Sequence, residues 1–423
     1  MPQTQRIEVF AFVHGRAKLA QTRGVAMTTG LSVAVIGGGI GGLAAALSLL
    51  NAGFDAHVYE QAPALGEVGA GIQISPNASR LLHRLGLAGA LARTGVRPVA
   101  GHQRRWDDGR TLQRSPLGDA VLQAFGAPYY HFHRADFLAA LAGVLPSDRL
   151  HVGHLLVDAV DQGDRIEARF ENGARIAADV LVGADGIHSR VRQLMFGPEA
   201  PRFTGCIAYR GLVPAERLAS LNLEVTSSNW MGPGGHFVHY YVAGGRFMNF
   251  VAVREEDTWT QESWVNRGEV ADALRLFEGW HSQVRTLIGA VDETFKWGLF
   301  DRLPLERWSK GRMTLLGDSC HAMLPFMAQG AVQSIEDGAT LTACLSQAGS
   351  DVTAALQRYE TLRKPRATRL QEMSRLNKTR FHLPDGPEQE ARDEQLRTAG
   401  DRSIANIGWL YAHDASLLPD TAA

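Results

Sequence analysis

Gly37-Gly-Gly39-Ile-Gly-Gly42 restricts what this chain can fold into more than any other stretch. It follows Leu31-Ser-Val-Ala-Val-Ile36, an apolar run rich in β-branched residues that reads as a buried strand. After it, Leu43 to Ala52 carries Ala, Leu and Ser at helical spacing and stops at Gly53, as a C-terminal glycine should. Ala56-His-Val-Tyr59 reads as a second, parallel strand, and Glu60 ends it roughly 20 residues beyond the glycines. A GxGxxG turn between strand and helix, with an acidic residue at that distance, is the full context of a dinucleotide fingerprint. Gly37 permits the tight turn, Gly39 lets the backbone approach a pyrophosphate, and Gly42 lets helix and strand pack closely. The amides at the helix start then meet the phosphates. Glu60 is placed to accept hydrogen bonds from both ribose hydroxyls. FAD and NAD present the same adenosine diphosphate half, so this motif alone does not separate them.

A chain of 423 residues exceeds one hydrophobic core and suits two joined lobes. Lys and Arg number 43 against 44 Asp and Glu, with no long single-sign run, which argues against a nucleic-acid or anionic-membrane partner. Cys206, Cys320 and Cys344 are an odd number without CxxC spacing, so neither a disulfide framework nor a zinc site is expected, and a reducing cytoplasm fits. No stretch approaches the roughly 20 apolar residues that span a bilayer. Residues 1–30 read as a disordered or non-native extension: the apolar patch Val9 to Val13 is too short for a secretory signal, and Met27 is a candidate initiator.

The α/β pattern recurs late. Pro76 to Leu85 looks helical, Ala178 to Val182 reads as a buried strand running into Gly183-Ala-Asp185-Gly186, and Met313–Leu316 leads into Gly317-Asp318 and a helical pattern to Leu345. Between Phe203 and Val253 the pattern turns to aromatic and β-branched extended segments, with Ala243-Gly-Gly245 as a hairpin turn between Phe237–Val242 and Arg246–Val253. Residues 31–105, 130–200 and 305–347 are therefore assigned to a Rossmann-like nucleotide lobe. Residues 106–129 and 201–304 form an inserted mixed β-sheet lobe, and 348–423 a helical C-terminal segment. The helix from Val352 to Leu376 carries Pro365, where a kink or break is expected.

Two further motifs, Asp179-Val-Leu-Val-Gly-Ala-Asp185-Gly186-Ile-His-Ser189-Arg-Val-Arg192 and Gly317-Asp318-Ser-Cys-His321-Ala-Met-Leu-Pro325-Phe-Met-Ala-Gln329-Gly330-Ala331, follow the first in order. Together they resemble the single-component FAD-dependent aromatic hydroxylases from Leu31 to Ala415. Glu67-Val-Gly-Ala-Gly-Ile-Gln73-Ile-Ser-Pro-Asn77, His133-Arg134-Ala-Asp-Phe137, Ala208-Tyr-Arg210-Gly-Leu-Val213 and Phe381-His-Leu-Pro-Asp-Gly386 resemble the salicylate hydroxylase branch. That branch includes 3-hydroxybenzoate 6-hydroxylases and 6-hydroxynicotinate 3-monooxygenases. The resemblance implies bound FAD, NADH or NADPH as a transient electron donor, O2 as co-substrate, and a small phenolic acid of the salicylate type hydroxylated through a flavin C4a-hydroperoxide. By resemblance, Asp318 binds the ribityl hydroxyls, Arg134 lies near the ribityl and pyrophosphate, and Asp185 and Gly186 serve both FAD and the nicotinamide donor. The helix after Gly330 and Ala331 turns its positive end to the flavin pyrimidine ring.

In His236-Phe-Val-His239-Tyr240, strand periodicity puts His236 and Tyr240 on one face and His239 on the other. The resemblance makes His236 the residue that assists phenol deprotonation, Tyr240 the one that orients the ring, and Pro325 a neighbour of the flavin's reactive edge. Ala322 and Val332 depart from the family pattern, which often has proline and asparagine there. Gln73 stands where the hydroxynicotinate enzymes carry a histidine, which lowers that reading. A non-oxygenating reductase, a purine hydroxylase and a flavin-binding module without turnover are the rival readings. A homodimer stays open.

Overall fold

The computed structural model describes residues 30–66, 70–259, 267–399 and 403–419. The extension up to residue 29, with Val9–Val13 and Met27, and the Glu67-Val-Gly69 start of one motif lie outside the described residues.

The nucleotide lobe is built on five parallel strands in the order Met313–Leu315, Val180–Gly183, Ser32–Ile36, Asp55–Tyr59, Leu150–His151, with Ser309–Lys310 antiparallel at one edge. Val33, Val35, Val180, Leu181 and Val182 are dry, as a parallel strand covered on both faces requires. Ile40–Asn51 and Gly330–Gln347 are neighbouring helices. Between Leu150 and Val180 the chain adds a three-stranded antiparallel sheet, Leu156–Asp161, Ile166–Phe170 and Arg175–Ala178, that the sequence reading did not separate from the lobe.

The second lobe is an eight-stranded mixed sheet, antiparallel except where Thr226–Gly232 runs parallel to Ala100–Arg105. Ala100–Arg105 had been assigned to the nucleotide lobe. Its sequence, Ala-Gly-His-Gln-Arg-Arg, carries no apolar alternation, and only its pairing with Thr226–Gly232 and Thr111–Pro116 places it in the second sheet. One face of the central strands buries Ile207, Tyr209, Trp230, Phe237 and Phe250 against Phe277, Val284, Leu287 and Ile288. The opposite face turns toward the nucleotide lobe.

Val352–Phe381 is one continuous helix through Pro365, so the expected break does not occur. Tertiary bonds on both sides of the proline hold it. Arg363, 1 % exposed, gives Nε to Asp337 Oδ1 at 2.7 Å and Nη1 to Glu336 Oε2 at 2.5 Å, while Arg366 Nε donates to Glu336 Oε2 at 2.8 Å. Burial alone would raise both carboxyl pKa values, but Arg363 with Arg366 on Glu336, and His321 with Arg363 on Asp337, outweigh it and hold each near 2. Breaking a buried ion cluster by removing one partner strands the remaining charge. Arg363→Met is therefore expected to cost roughly 3–5 kcal/mol, read as a lowered urea midpoint. An unchanged midpoint would contradict this account.

Burial pushes His131 down to about 3, and burial with Arg104 and His102 does the same to His239. Both rings are neutral in the fold, whereas the unfolded chain takes up their protons below about pH 6.5. Each therefore weakens folding progressively as pH falls from about 6.5 toward 3, by about 2 kcal/mol at pH 5. A melting temperature that drops between pH 7 and pH 5 is the expected result, and a flat profile would refute it.

Candidate active site

A groove of about 570 Å³ runs past Gly37, Gly39, Glu60, Asp185 and Gly186 at the carboxyl ends of the parallel strands. Gly37 has φ +108°, and a Cβ there would lie 2.4 Å from Ala184 O, while one on Gly42 would lie 2.0 Å from Gly37 O. The chain's own packing thus demands both glycines. Gly39 differs: its backbone is extended, and an added Cβ would meet no protein atom within 4 Å. The open space above it is what a closely approaching ligand needs. Glu60 accepts from Gly38 N at 2.6 Å through Oε2 and from Ala62 N at 2.8 Å through Oε1, which fixes the carboxylate at the groove. Ile40–Asn51 starts with no side-chain cap and no acidic residue in its first turn, leaving its amides to an anion. These features fit the adenosine diphosphate half of FAD.

A second cavity of about 380 Å³ is lined by Arg134, Arg210, Trp297, Asp318, Met323 and Pro325. Asp318 is exposed to it and accepts no hydrogen bond from the described residues. The turn that carries it is fixed from behind, because Asp337 Oδ2 binds Gly317 N at 3.0 Å and His321 Nε2 at 2.6 Å. Gly330 opens the helix Gly330–Gln347, and a Cβ there would lie 3.8 Å from Asp318 Oδ1. Ala331 follows, half-buried. The side chain of the preceding Gln329 donates to Ser75 Oγ at 3.1 Å and does not cap the helix. An exposed carboxylate beside an uncapped helix start suits a polyol chain and an electron-accepting ring.

Asp185 is turned inward. Its carboxylate accepts from Ser189 Oγ at 2.5 Å, Arg190 N at 2.6 Å, Val191 N at 3.1 Å and Ser319 Oγ at 3.3 Å, and burial pushes its pKa up. Its side chain builds the start of Arg190–Phe196, and its backbone, with Gly186, lines the groove.

His236 and Tyr240 share the sheet face toward the nucleotide lobe, while His239 lies on the other, with Gln283 Nε2 at 3.4 Å. Neither His236 nor Tyr240 lines the second cavity: the Phe326 ring stands edge-on to His236 at 4.6 Å, and Tyr240 packs against His131 at 4.4 Å. Gln73 lies at the Tyr240 end and accepts from Tyr129 Oη at 2.6 Å. Ala322, one departure from the family pattern, presents its carbonyl to Gln371 Nε2 at 3.1 Å, and Val332, the other, is wholly buried in the core.

Two further residues, Arg210 on this face and His382 beside it, carry no local sequence signal of their surroundings. Arg210 stacks 4.0 Å over the Trp297 ring, its Nε is buried without a partner among the described residues, and burial together with nearby Arg134 pushes it down to about 10. His382 places Nε2 at 2.7 Å from His236 Nδ1. Both stood inside recognisable motifs, Ala208-Tyr-Arg210 and Phe381-His-Leu-Pro, but nothing in local spacing says that a residue 146 positions away meets His236.

Residues 30–374 match the family described as FAD binding domain. The chain is 44% identical over 384 residues, 91% of this chain and 96% of the relative, to a 3-amino-4-hydroxybenzoate 2-monooxygenase of Streptomyces platensis. It is 38% identical over 354 residues, 82% of this chain and 90% of the relative, to a 6-hydroxynicotinate 3-monooxygenase of Pseudomonas fluorescens. A solved salicylate hydroxylase substrate complex superposes with a TM-score of 0.78 at 27% identity, covering 93% of this chain and 99% of that one. The fold and site define a flavoprotein of the aromatic hydroxylase type. The chain belongs to the FAD-dependent aromatic monooxygenases, as its motifs implied. Among the described residues no helix is long and apolar enough to cross a membrane.

Removing the exposed carboxylate is expected to weaken FAD binding without unfolding the chain. Asp318→Ala should lose charge-assisted hydrogen bonds worth roughly 1.5–3 kcal/mol, or about ten- to a hundredfold in Kd. Flavin-fluorescence titration of the apoprotein measures this, and wild-type affinity would remove Asp318 from the site.

Proposed function

We propose that the chain uses NADH or NADPH and O2 to hydroxylate a small phenolic aromatic acid in the space between the Pro325–Met327 turn and the sheet face that carries Arg210, His236 and Tyr240. The observation that carries this reading is Arg210: a half-buried guanidinium, stacked on Trp297, whose buried Nε has no partner among the described residues. A carboxylate ligand supplies the acceptor it lacks. His236 and Tyr240 then offer polar atoms on the same face to the ring hydroxyl.

FAD supplies the reductive activation of O2 when bound, and the protein supplies position and exclusion of water. Glu60 and the Gly37–Gly42 turn would hold the adenosine half, Asp318 the polyol, and the start of Gly330–Gln347 would offer the cofactor a positive end. The nicotinamide donor docks transiently, since the chain carries a single GxGxxG turn. One oxygen atom of O2 enters the ring and the other leaves as water. Cys206, Cys320 and Cys344 are free thiols, which fits a cytoplasmic enzyme.

Salicylate itself is one member of the class. The 44% identity to the Streptomyces enzyme favours 3-amino-4-hydroxybenzoate as a second reading, in which the ring amino group activates the neighbouring carbon. Purified holoenzyme should be assayed for NAD(P)H oxidation, oxygen uptake and product mass with salicylate, 3-hydroxybenzoate, 6-hydroxynicotinate and 3-amino-4-hydroxybenzoate. One of these is expected to yield product with one oxygen from O2, and Arg210→Met to raise its KM roughly tenfold or more, the loss of one charged hydrogen bond. NAD(P)H oxidation that yields only peroxide with all four would reject the phenolic-acid reading.

A further inference from the structure

The sheet face that carries His236 does not end in the interior. Met231 pairs with His236, Asn229 with Gln103, and Gln103 with Gln113, and paired residues present their side chains to the same side. The face therefore continues across three strands to the outer edge of the second lobe. There it floors an open groove of about 450 Å³, covered by Phe381 and by the helices Pro387–Ala399 and Ser403–Tyr411.

The groove is walled by apolar side chains, among them Leu117, Val121, Leu396 and Ile407. Of the described residues that line it, Arg380 alone carries a charge. No described residue accepts a hydrogen bond from the Arg380 guanidinium, and only its backbone carbonyl is engaged, by Arg392 Nη1 at 2.8 Å. Partial burial, and then the nearby Arg392, push its pKa down, so the cation lacks the anion that would settle it. An aromatic carboxylate answers both features, with a flat apolar ring for the walls and two oxygens for the guanidinium fork.

One layer of side chains divides this groove from the closed part of the face. Met327 and Phe381 line the groove, and the Phe381 ring lies 5.3 Å from His236 on the inner side. Asn377 Nδ2, in the groove wall, donates to Phe326 O at 3.0 Å and meets Met327 Sδ at 3.0 Å, which couples the wall to the Pro325–Met327 turn. The first residue of that turn, Pro325, borders the second cavity. Met327 is an unbranched thioether and Phe381 the last residue of its helix, so both are side chains that rotate at low cost.

We propose that this groove captures the phenolic acid from solvent, with its carboxylate on Arg380, before the acid passes Met327 and Phe381 to the inner part of the same sheet face. The inference rests on the functional reading above, to which it adds the entrance and the residue that selects an anion there. Arg380 meets the acid before the reaction and takes no part in the chemistry. Its contribution lies in the rate of capture, because a cation in a low-dielectric groove raises the local concentration of anions.

The test mixes oxidised holoenzyme in stopped flow with salicylate or 3-amino-4-hydroxybenzoate, and with the neutral amide of each, while flavin absorbance reports binding. Arg380→Gln is expected to slow binding of the acids by roughly tenfold and to leave the amides' on-rate as it was. Arg380→Lys should keep most of the wild-type rate, and added salt should slow the wild type toward Arg380→Gln. Ala399→Trp, which fills the groove from the end of its helix, should slow acid and amide alike while FAD stays bound. Uptake of the acids at the wild-type rate by both Arg380→Gln and Ala399→Trp would overturn the entrance. Equal slowing of acid and amide by Arg380→Gln would overturn it too, because the arginine would then only hold the wall. Failure of the wild type to bind any of the four acids assayed for turnover would instead sink the functional reading, and the groove's role with it.

Discussion

The buried ion cluster of Glu336, Asp337, Arg363 and Arg366 is the constraint on which the rest of the molecule depends. Its residues lie on the two long helices, yet its hydrogen bonds reach the Gly317 turn that carries Asp318 and the helix Pro76–Arg84. Asn77 Nδ2 ties Glu336 at 2.6 Å to the helix Pro76–Arg84, Gln333 Oε1 takes Arg363 Nη2 at 2.6 Å, and Asp337 holds Gly317 N and His321. Charges this deep are tolerated only when every partner is present, so the cluster acts as a registration device. It sets Asp318 and the start of Gly330–Gln347 relative to each other, and those are the groups proposed above to meet the flavin half of the cofactor.

The site follows from two surfaces built by different rules. On the nucleotide side the candidate groove is built mostly of backbone: uncapped amides, two glycines that internal packing requires, and one glycine with open space where a Cβ would stand. On the sheet side the surface is built of side chains, because a pleated strand offers every second residue to the same face. The sheet's other face is sealed by Phe237, Phe250 and Phe277, which leaves Arg210, His236 and Tyr240 a rigid base. Rigidity matters for a reaction in which the ring carbon must be held close to an activated oxygen.

The histidines divide by what their neighbours allow. His131 and His239 are buried without a hydrogen bond at Nδ1 from the described residues and serve as neutral packing. His321 is fastened to Asp337 and belongs to the structural cluster. His236 is buried and bonded through Nδ1 to His382, which in turn meets Glu255, and no described residue bonds its Nε2. Residue type did not distinguish these roles; partners did.

The sequence by itself determined the local physics of the candidate cofactor groove. Gly37, Gly39, Gly42 and Glu60 sit within one βαβ unit, where strand, turn and helix periods are short-range and readable. Strand alternation likewise fixed that His236 and Tyr240 share a face. What only the tertiary structure decided depends on residues far apart in the chain. Ala100–Arg105 became a strand of the second sheet because Thr226–Gly232 paired with it, against its own polar pattern. Pro365 failed to break its helix because Glu336 and Asp337 hold Arg363 and Arg366 on either side. Asp185 turned its carboxylate into its own helix start, and Arg210 and His382 acquired their surroundings from other elements. Local propensities contribute tenths of a kcal/mol per residue, whereas a buried unpaired charge costs several, so at these positions the distant partner prevailed.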